Sequence, residues 1–173
     1  SGLTIELALA RVFAKNPQPR SITFLFATAE EWGLLGAESF IKNGPFLPDQ
    51  IIANFNLDDG FELFGRKRDV APLGIELSTL GNVVEEIALR KELHVSPDPF
   101  PQEGFFLRAD NYPLARVGVP ALYLALGTED EHNISKNLRD LLKDEDKYLI
   151  KSELKAWNLK RWARAYFSDG MFK

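Results

Sequence analysis

Three short apolar runs of strand length limit the folds that are open to this chain. They are residues 21–28 (SITFLFAT), 50–57 (QIIANFNL) and 120–126 (PALYLAL). Each run is too apolar to face water on either side, which is typical of strands that are buried in a parallel sheet. We therefore predict three buried strands, with residues 21–28 as a central one.

Helical patterns occupy the intervals between these runs. Residues 3–15, 32–42 and 75–93 have helical periodicity or end at helix-stop signals, and an aromatic stripe predicts a closing helix over residues 159–167. Residues 95–104 carry three prolines and predict an irregular loop. Strands that alternate with helices predict an α/β layered sheet with right-handed crossovers. With 45% hydrophobic residues in a length of 173, we expect a single domain over residues 1–173.

Charge and composition exclude several kinds of partner. The formal net charge is -4, and Lys and Arg form no cluster of the kind that a nucleic acid would demand. No apolar run approaches the length of about 18 residues that a membrane-spanning helix needs. The chain has no cysteine, so disulfides, thiolate metal sites and cysteine nucleophiles are all excluded. Any metal must be held by Asp, Glu or His, and the only histidines are His94 and His132.

Acidic residues follow two of the apolar runs. Glu30 and Glu31 come after the first run, and Asp58 and Asp59 come after the second. In an open α/β sheet ligands bind beyond the carboxyl ends of the strands, where adjacent carboxylates repel by roughly 4 kcal/mol per pair at close range. A divalent cation offsets that repulsion, and zinc suits such a site when one or two histidines complete it. The alternative is an acidic pair that only complements the dipole of the next helix.

Several motifs in this order resemble one known family. Residues 27–40 (ATAEEWGLLGAESF), 54–70 (NFNLDDGFELFGRKRDV), 104–124 (GFFLRADNYPLARVGVPALYL) and 157–167 (WNLKRWARAYF) are similar to the co-catalytic di-zinc aminopeptidases. That family, clan MH, includes bacterial leucyl aminopeptidases, glutamate carboxypeptidases and transferrin-receptor-like members. The resemblance covers nearly the whole chain, and several ordered motifs are more specific than any single one.

The resemblance implies a fold and an activity. The fold is a three-layer αβα sandwich with a mostly parallel mixed central sheet, of the zinc-exopeptidase, phosphorylase/hydrolase-like type. The activity is hydrolysis of N-terminal peptide bonds in peptide substrates, in an exported protein. By resemblance, Glu30 is the general base on a zinc-bound water, Glu31 binds one zinc and Asp58 binds the other. This chemistry is physically reasonable because zinc lowers the pKa of its water to about 7.

The chain also departs from the family pattern. The family's first metal histidine, its neighbouring Asp and the bridging Asp belong upstream of the segment that matches Ser1-Gly2, so we expect the N-terminal part of the domain and of the two-zinc site to be missing here. The family's substrate-side Ser-Asp-His corresponds to Ala109-Asp110-Asn111. His132 is the one candidate for the last family ligand, and His94 is predicted to be a surface residue at a helix end.

Three functions therefore stay open at this stage. The first is a zinc aminopeptidase, and the second is a catalytically inactive homologue of receptor type that serves as a binding or dimerisation module. The third is a glutaminyl-cyclase-like acyltransferase, which shares the acidic pair. The Asn-Leu-Asp strand end at Asp58 and the Arg-Asp-Val segment at residues 68–70 favour the peptidases.

Overall fold

The computed structural model describes residues 2–58 and 66–130, all within one compact unit that spans residues 1–132. His132 and the predicted closing helix at residues 159–167 lie outside the described residues. The α-helices are α1 (Gly2–Lys15), α2 (Leu35–Asn43), α3 (Leu80–Arg90), α4 (Phe105–Arg108) and α5 (Tyr112–Arg116), and the strands are β1 (Asn54–Asn56), β2 (Asp69–Leu73), β3 (His94–Val95) and β4 (Ala121–Leu126). Four single 3₁₀ turns occupy Glu30–Trp32, Pro48–Gln50, Ile75–Leu77 and Pro101–Glu103.

The four strands form one mixed sheet in the order β1-β4-β2-β3. The pairs β1/β4 and β2/β3 are parallel, and β2/β4 is antiparallel. Helix α3 connects β2 to its parallel neighbour β3, as a crossover between parallel strands requires. The α/β class with a mostly parallel mixed sheet is therefore confirmed. The carboxyl ends of β1 and β4 share one edge of this sheet with the amino ends of β2 and β3.

The core lies around the two inner strands. Leu73 of β2 and Tyr123 of β4 are buried together with Ala109, and Phe106 packs against them. Leu122, also in β4, is completely buried. Apolar residues of the two central strands and of the segment before α5 therefore hold the sheet in place. Among the described residues, no helix is both long and apolar enough to cross a bilayer.

The sequence-based prediction of elements is partly confirmed. The run at residues 120–126 contains β4, and the run at 50–57 contains the shorter β1. The strand predicted at residues 21–28 is wrong, because the structure gives these residues no ladder with another described strand, and Ile22 and Phe26 are exposed. An apolar run reports a tendency to be buried, whereas a strand also requires a neighbour that accepts its backbone hydrogen bonds.

Candidate active site

Glu30 and Glu31 lie in the 3₁₀ turn Glu30–Trp32, which is flanked by backbone in an uncommon conformation. Ala29 before the turn and Leu34 after it both adopt the left-handed region, with φ of 56° and 59°. For residues with a side chain this conformation costs roughly 1–2 kcal/mol each. Such strain persists only where surrounding contacts impose it, and it is concentrated at functional sites. Glu30 is half-buried, and Glu31 is exposed.

Hydrogen bonds and one glycine hold this turn. The amide of Leu34 donates to the carbonyl of Glu30 at 2.9 Å, and the amide of Gly36 donates to the carbonyl of Thr28 at 2.9 Å. A Cβ on Gly36 would lie 2.5 Å from Thr28 N and 2.6 Å from Thr28 O. Only glycine therefore lets the start of α2 approach the segment before the acidic pair this closely.

Asp58 follows β1, and its backbone is held by the first turn of α1. The amide of Gly2 donates to the carbonyl of Asp58 at 3.2 Å. Gly2 is buried, and a Cβ at this position would overlap the carbonyl of Leu57. The close packing of α1 on the end of β1 thus sets the position of the Asp58 backbone, while its side chain stays exposed.

Asp110 lies in the short connection between α4 and α5 and is electrostatically coupled to both acidic segments. Burial raises the pKa of the Asp110 carboxyl, and the negative charges of Glu30 and Asp58 raise this pKa further. Because such interactions weaken with distance, Glu30 and Asp58 both lie in the electrostatic neighbourhood of Asp110, although the three residues are far apart in the sequence. Asp110 Oδ1 is also buried and has no hydrogen-bond partner among the described residues.

One observation at Asp110 fits a nearby divalent cation. Burial and negative charges raise the pKa of the Asp110 carboxyl, and its buried Oδ1 has no hydrogen-bond partner among the described residues. A bound cation would offset both the mutual repulsion and the cost of the unpaired acceptor. Oxygen ligands of this kind serve zinc when a histidine is also available.

Asn111 is fully buried and holds the turn that presents Asp110. Its side-chain Nδ2 donates to the backbone carbonyl of Phe106 in α4 at 3.0 Å, and its backbone carbonyl accepts the amide of Ala115 in α5 at 3.0 Å. The first bond connects α4 to the residue after Asp110, and the second belongs to the first turn of α5. The structure therefore gives Asn111 a positioning contact. Its substrate-side role stays a prediction.

The individual roles expected for the site residues stay predictions as well. Besides burial, the charges of Glu30 and Asp58 both raise the pKa of Asp110, and Glu31 lies beside Glu30 in the same 3₁₀ turn. The interaction of Asp110 with Glu30 could not be read from the sequence, because it depends on how distant segments pack. His132 lies outside the described residues.

A second group of possible ligands was missed by the sequence analysis. Asp69, His94 and Glu129 each offer a ligand atom, and these atoms lie within 4.8 Å of one another. His94 is exposed, as expected, but it belongs to β3 rather than to a helix end. No local motif marks this group, since its members meet only through strand pairing.

Asp58 after β1, the acidic 3₁₀ turn before α2 and Asp110 before α5 form the candidate metal site. The family model described as Peptidase family M28 matches residues 1–158, and the chain belongs to this family of metallopeptidases, which are in general zinc-dependent. The resemblance noted from the motifs is thereby confirmed. Searches of curated proteins and of solved structures found no significant match.

Proposed function

We propose that this protein is a zinc-dependent exopeptidase of the aminopeptidase type, which hydrolyses N-terminal peptide bonds. The observation that carries the proposal is the coupling of Asp110 to both Glu30 and Asp58. This pKa shift supports a common site for Glu30 and the Asn-Leu-Asp strand end, as a metal-dependent hydrolase requires. Membership in the M28 family supports the same chemistry.

Glu31 and Asp58 would hold the zinc. Both are exposed, so a cation from solvent can reach them, and both follow backbone that is firmly held by other segments. When bound, zinc polarises the scissile carbonyl and makes water easier to deprotonate. The raised pKa of Asp110 supports this assignment, because it reports a negative potential that a cation would relieve.

Glu30 would act as the general base. Its carboxylate takes a proton from the attacking water and later returns it to the leaving amine. Glu30 is half-buried, and backbone hydrogen bonds hold its turn, which limits the positions open to its carboxylate and supports a role as general base. Asp110 would stay beside this pair and help to orient the free amine of the substrate through its negative charge.

The test uses the protein expressed from its complete reading frame and loaded with zinc. We expect hydrolysis of aminoacyl 4-nitroanilides, and Glu30→Gln should lower kcat by at least about 100-fold at unchanged zinc content. The exposed Glu76, in a separate 3₁₀ turn, supplies the matched control, since Glu76→Gln should leave kcat unchanged. A Glu30→Gln variant with the parental rate would overturn the assignment.

Metal analysis separates binding from catalysis. Glu31→Gln and Asp58→Asn should each lower the zinc content after dialysis, because each removes a charged oxygen ligand. Zinc bound in full without any peptide hydrolysis would instead favour the binding module. Cyclisation of N-terminal glutamine by the protein would favour the acyltransferase.

Export of the protein is also part of the proposal. Fractionation of the cells that express the protein tests it.

A further inference from the structure

We propose that Asp69, His94 and Glu129 form a second binding site for a divalent cation of the zinc type, apart from the proposed catalytic site. One ligand atom from each residue lies within 4.8 Å of the other two. Strand β4 separates β2 from β1, so Asp69 lies roughly 10 Å along the sheet edge from the end of β1, at about 4.8 Å per strand.

Parallel pairing places the first two ligands side by side. Asp69 is the register partner of His94, and Val70 is the partner of Val95. Residues that oppose one another in a ladder point to the same face of the sheet. The imidazole of His94 therefore lies on the same side as the Asp69 carboxylate.

An irregularity between β2 and β4 brings the third ligand to them. Val70 pairs with Leu126, whereas Lys67 bridges to Asp130. Residues 67–70 number four and face residues 126–130, which number five, so the segment after β4 contains one extra residue. This is a β-bulge, a feature that redirects side chains and is common beside functional sites. Glu129 lies in this bulge, and its carboxylate contacts the imidazole of His94.

The buried carboxylate of Asp69 holds this bulge. Its Oδ1 accepts the amide of Glu129 at 2.8 Å, and its Oδ2 accepts the amide of Thr128 at 3.2 Å. Gly127 leaves the space for this carboxylate, because a Cβ there would overlap it. Each oxygen of an ionised carboxylate can accept more than one bond, so Asp69 keeps capacity for a cation.

The other two ligands are accessible from solvent. His94 Nε2 lies 2.9 Å from Glu129 Oε2, and the two side chains are 56% and 47% exposed. One imidazole nitrogen and two carboxylate oxygens form a zinc ligand set that leaves a fourth position for water. Ligands at about 2.0–2.2 Å from zinc are at most about 4.4 Å apart, and rotation of the exposed side chains supplies the small closure that is needed. A cation here would clamp β2, β3 and the bulge together.

The test exploits the two histidines of the chain. In protein labelled with ¹⁵N-histidine and carrying His132→Gln, the resonances that disappear on the further substitution His94→Gln are assigned to His94. The substitutions Glu31→Gln and Asp58→Asn are added to remove the proposed catalytic zinc. We expect micromolar zinc to shift the Nε2 resonance of His94, with Glu129→Gln and Asp69→Asn each weakening the apparent affinity at least about tenfold.

Glu85, at an exposed position of α3, supplies the control. Glu85→Gln should leave the titration of the His94 resonance with zinc unchanged. If the His94 resonance does not shift at millimolar zinc, the proposed site is wrong. The site is also wrong if the Glu129→Gln variant binds zinc with the affinity of the parent protein. Glu129→Gln leaves the buried Asp69 intact, so it keeps the test decisive if Asp69→Asn fails to fold. Peptide hydrolysis by the parent protein is measured separately. Absence of zinc binding at Asp69, His94 and Glu129 is thereby distinguished from failure of the catalytic proposal.

Discussion

Arg116 Nη2 donates to both carboxylate oxygens of Glu38, at 2.7 and 2.9 Å. This contact connects α5 to α2. Glu30 precedes α2 and Asp110 precedes α5, so the ion pair supports the relative position of the two acidic segments. This side-chain contact joins the helix that follows Glu30, the predicted general base, to the helix that follows Asp110.

The Arg116–Glu38 pair should contribute modestly to stability. Arg116 is 51% exposed, and exposed pairs contribute about 0.2–1 kcal/mol. A double-mutant cycle with Glu38→Gln and Arg116→Gln, measured by urea unfolding, should give a coupling of about 0.5 kcal/mol. Lys42 also approaches Glu38, at 3.7 Å, and is the matched control with a smaller expected coupling. Equal couplings for the two cations would contradict the structure.

Gly36→Ala should disturb the acidic turn. The new methyl group would press on the backbone of Thr28, and overpacking of this kind costs about 1–3 kcal/mol. Because the same backbone leads into Glu30, we also expect slower peptide hydrolysis. Ser39→Ala, at an exposed position of the same helix, should change the free energy of unfolding by less than about 0.5 kcal/mol. Unfolding curves that coincide for the two variants would count against the close approach.

Ala29→Gly should be neutral or stabilise the protein by up to about 1.5 kcal/mol. Relief of the left-handed conformation gains about 1–2 kcal/mol, and the greater freedom of glycine in the unfolded chain costs roughly 0.5–1 kcal/mol. Ala37, fully buried in α2, supplies the comparison, and Ala37→Gly should destabilise by about 1 kcal/mol or more. Thermal unfolding of both variants measures the difference. A larger loss at Ala29 than at Ala37 would show that residue 29 does not adopt positive φ in solution.

Asp110→Asn should stabilise the metal-free protein at neutral pH. Folding raises the pKa of Asp110. The stability that this shift contributes is therefore present below the pKa of Asp110 in the unfolded chain, and it is lost as the pH rises through the pKa of Asp110 in the folded protein. Removing the charge should therefore raise the free energy of unfolding at pH 7 in the presence of a chelator, with no gain near pH 3. Zinc should cancel or reverse the gain, because the cation then favours the charged carboxylate. A gain that is independent of pH would contradict the electrostatic origin.

Much of the fold followed from local patterns. The run at residues 120–126 became β4, and the helical pattern at residues 3–15 became α1. Strand β3 was missed because its two residues are too few for a recognisable alternation, and β2 was missed because it contains Asp69 and Pro72, residue types that are rare in strands. Residues 21–28 were misassigned for the opposite reason: their composition is typical of a strand, but strand formation depends on a partner.

By itself, the sequence determined that acidic residues follow two apolar runs, and the order of its motifs already indicates the family. These are properties of neighbouring residues. Only the tertiary structure decided that the charges of Glu30 and Asp58 act on Asp110, and that Asp69, His94 and Glu129 gather around a bulge. The physical reason is that strand order, register and helix packing arise from contacts between segments far apart in the chain, and no local spacing encodes which of them will meet.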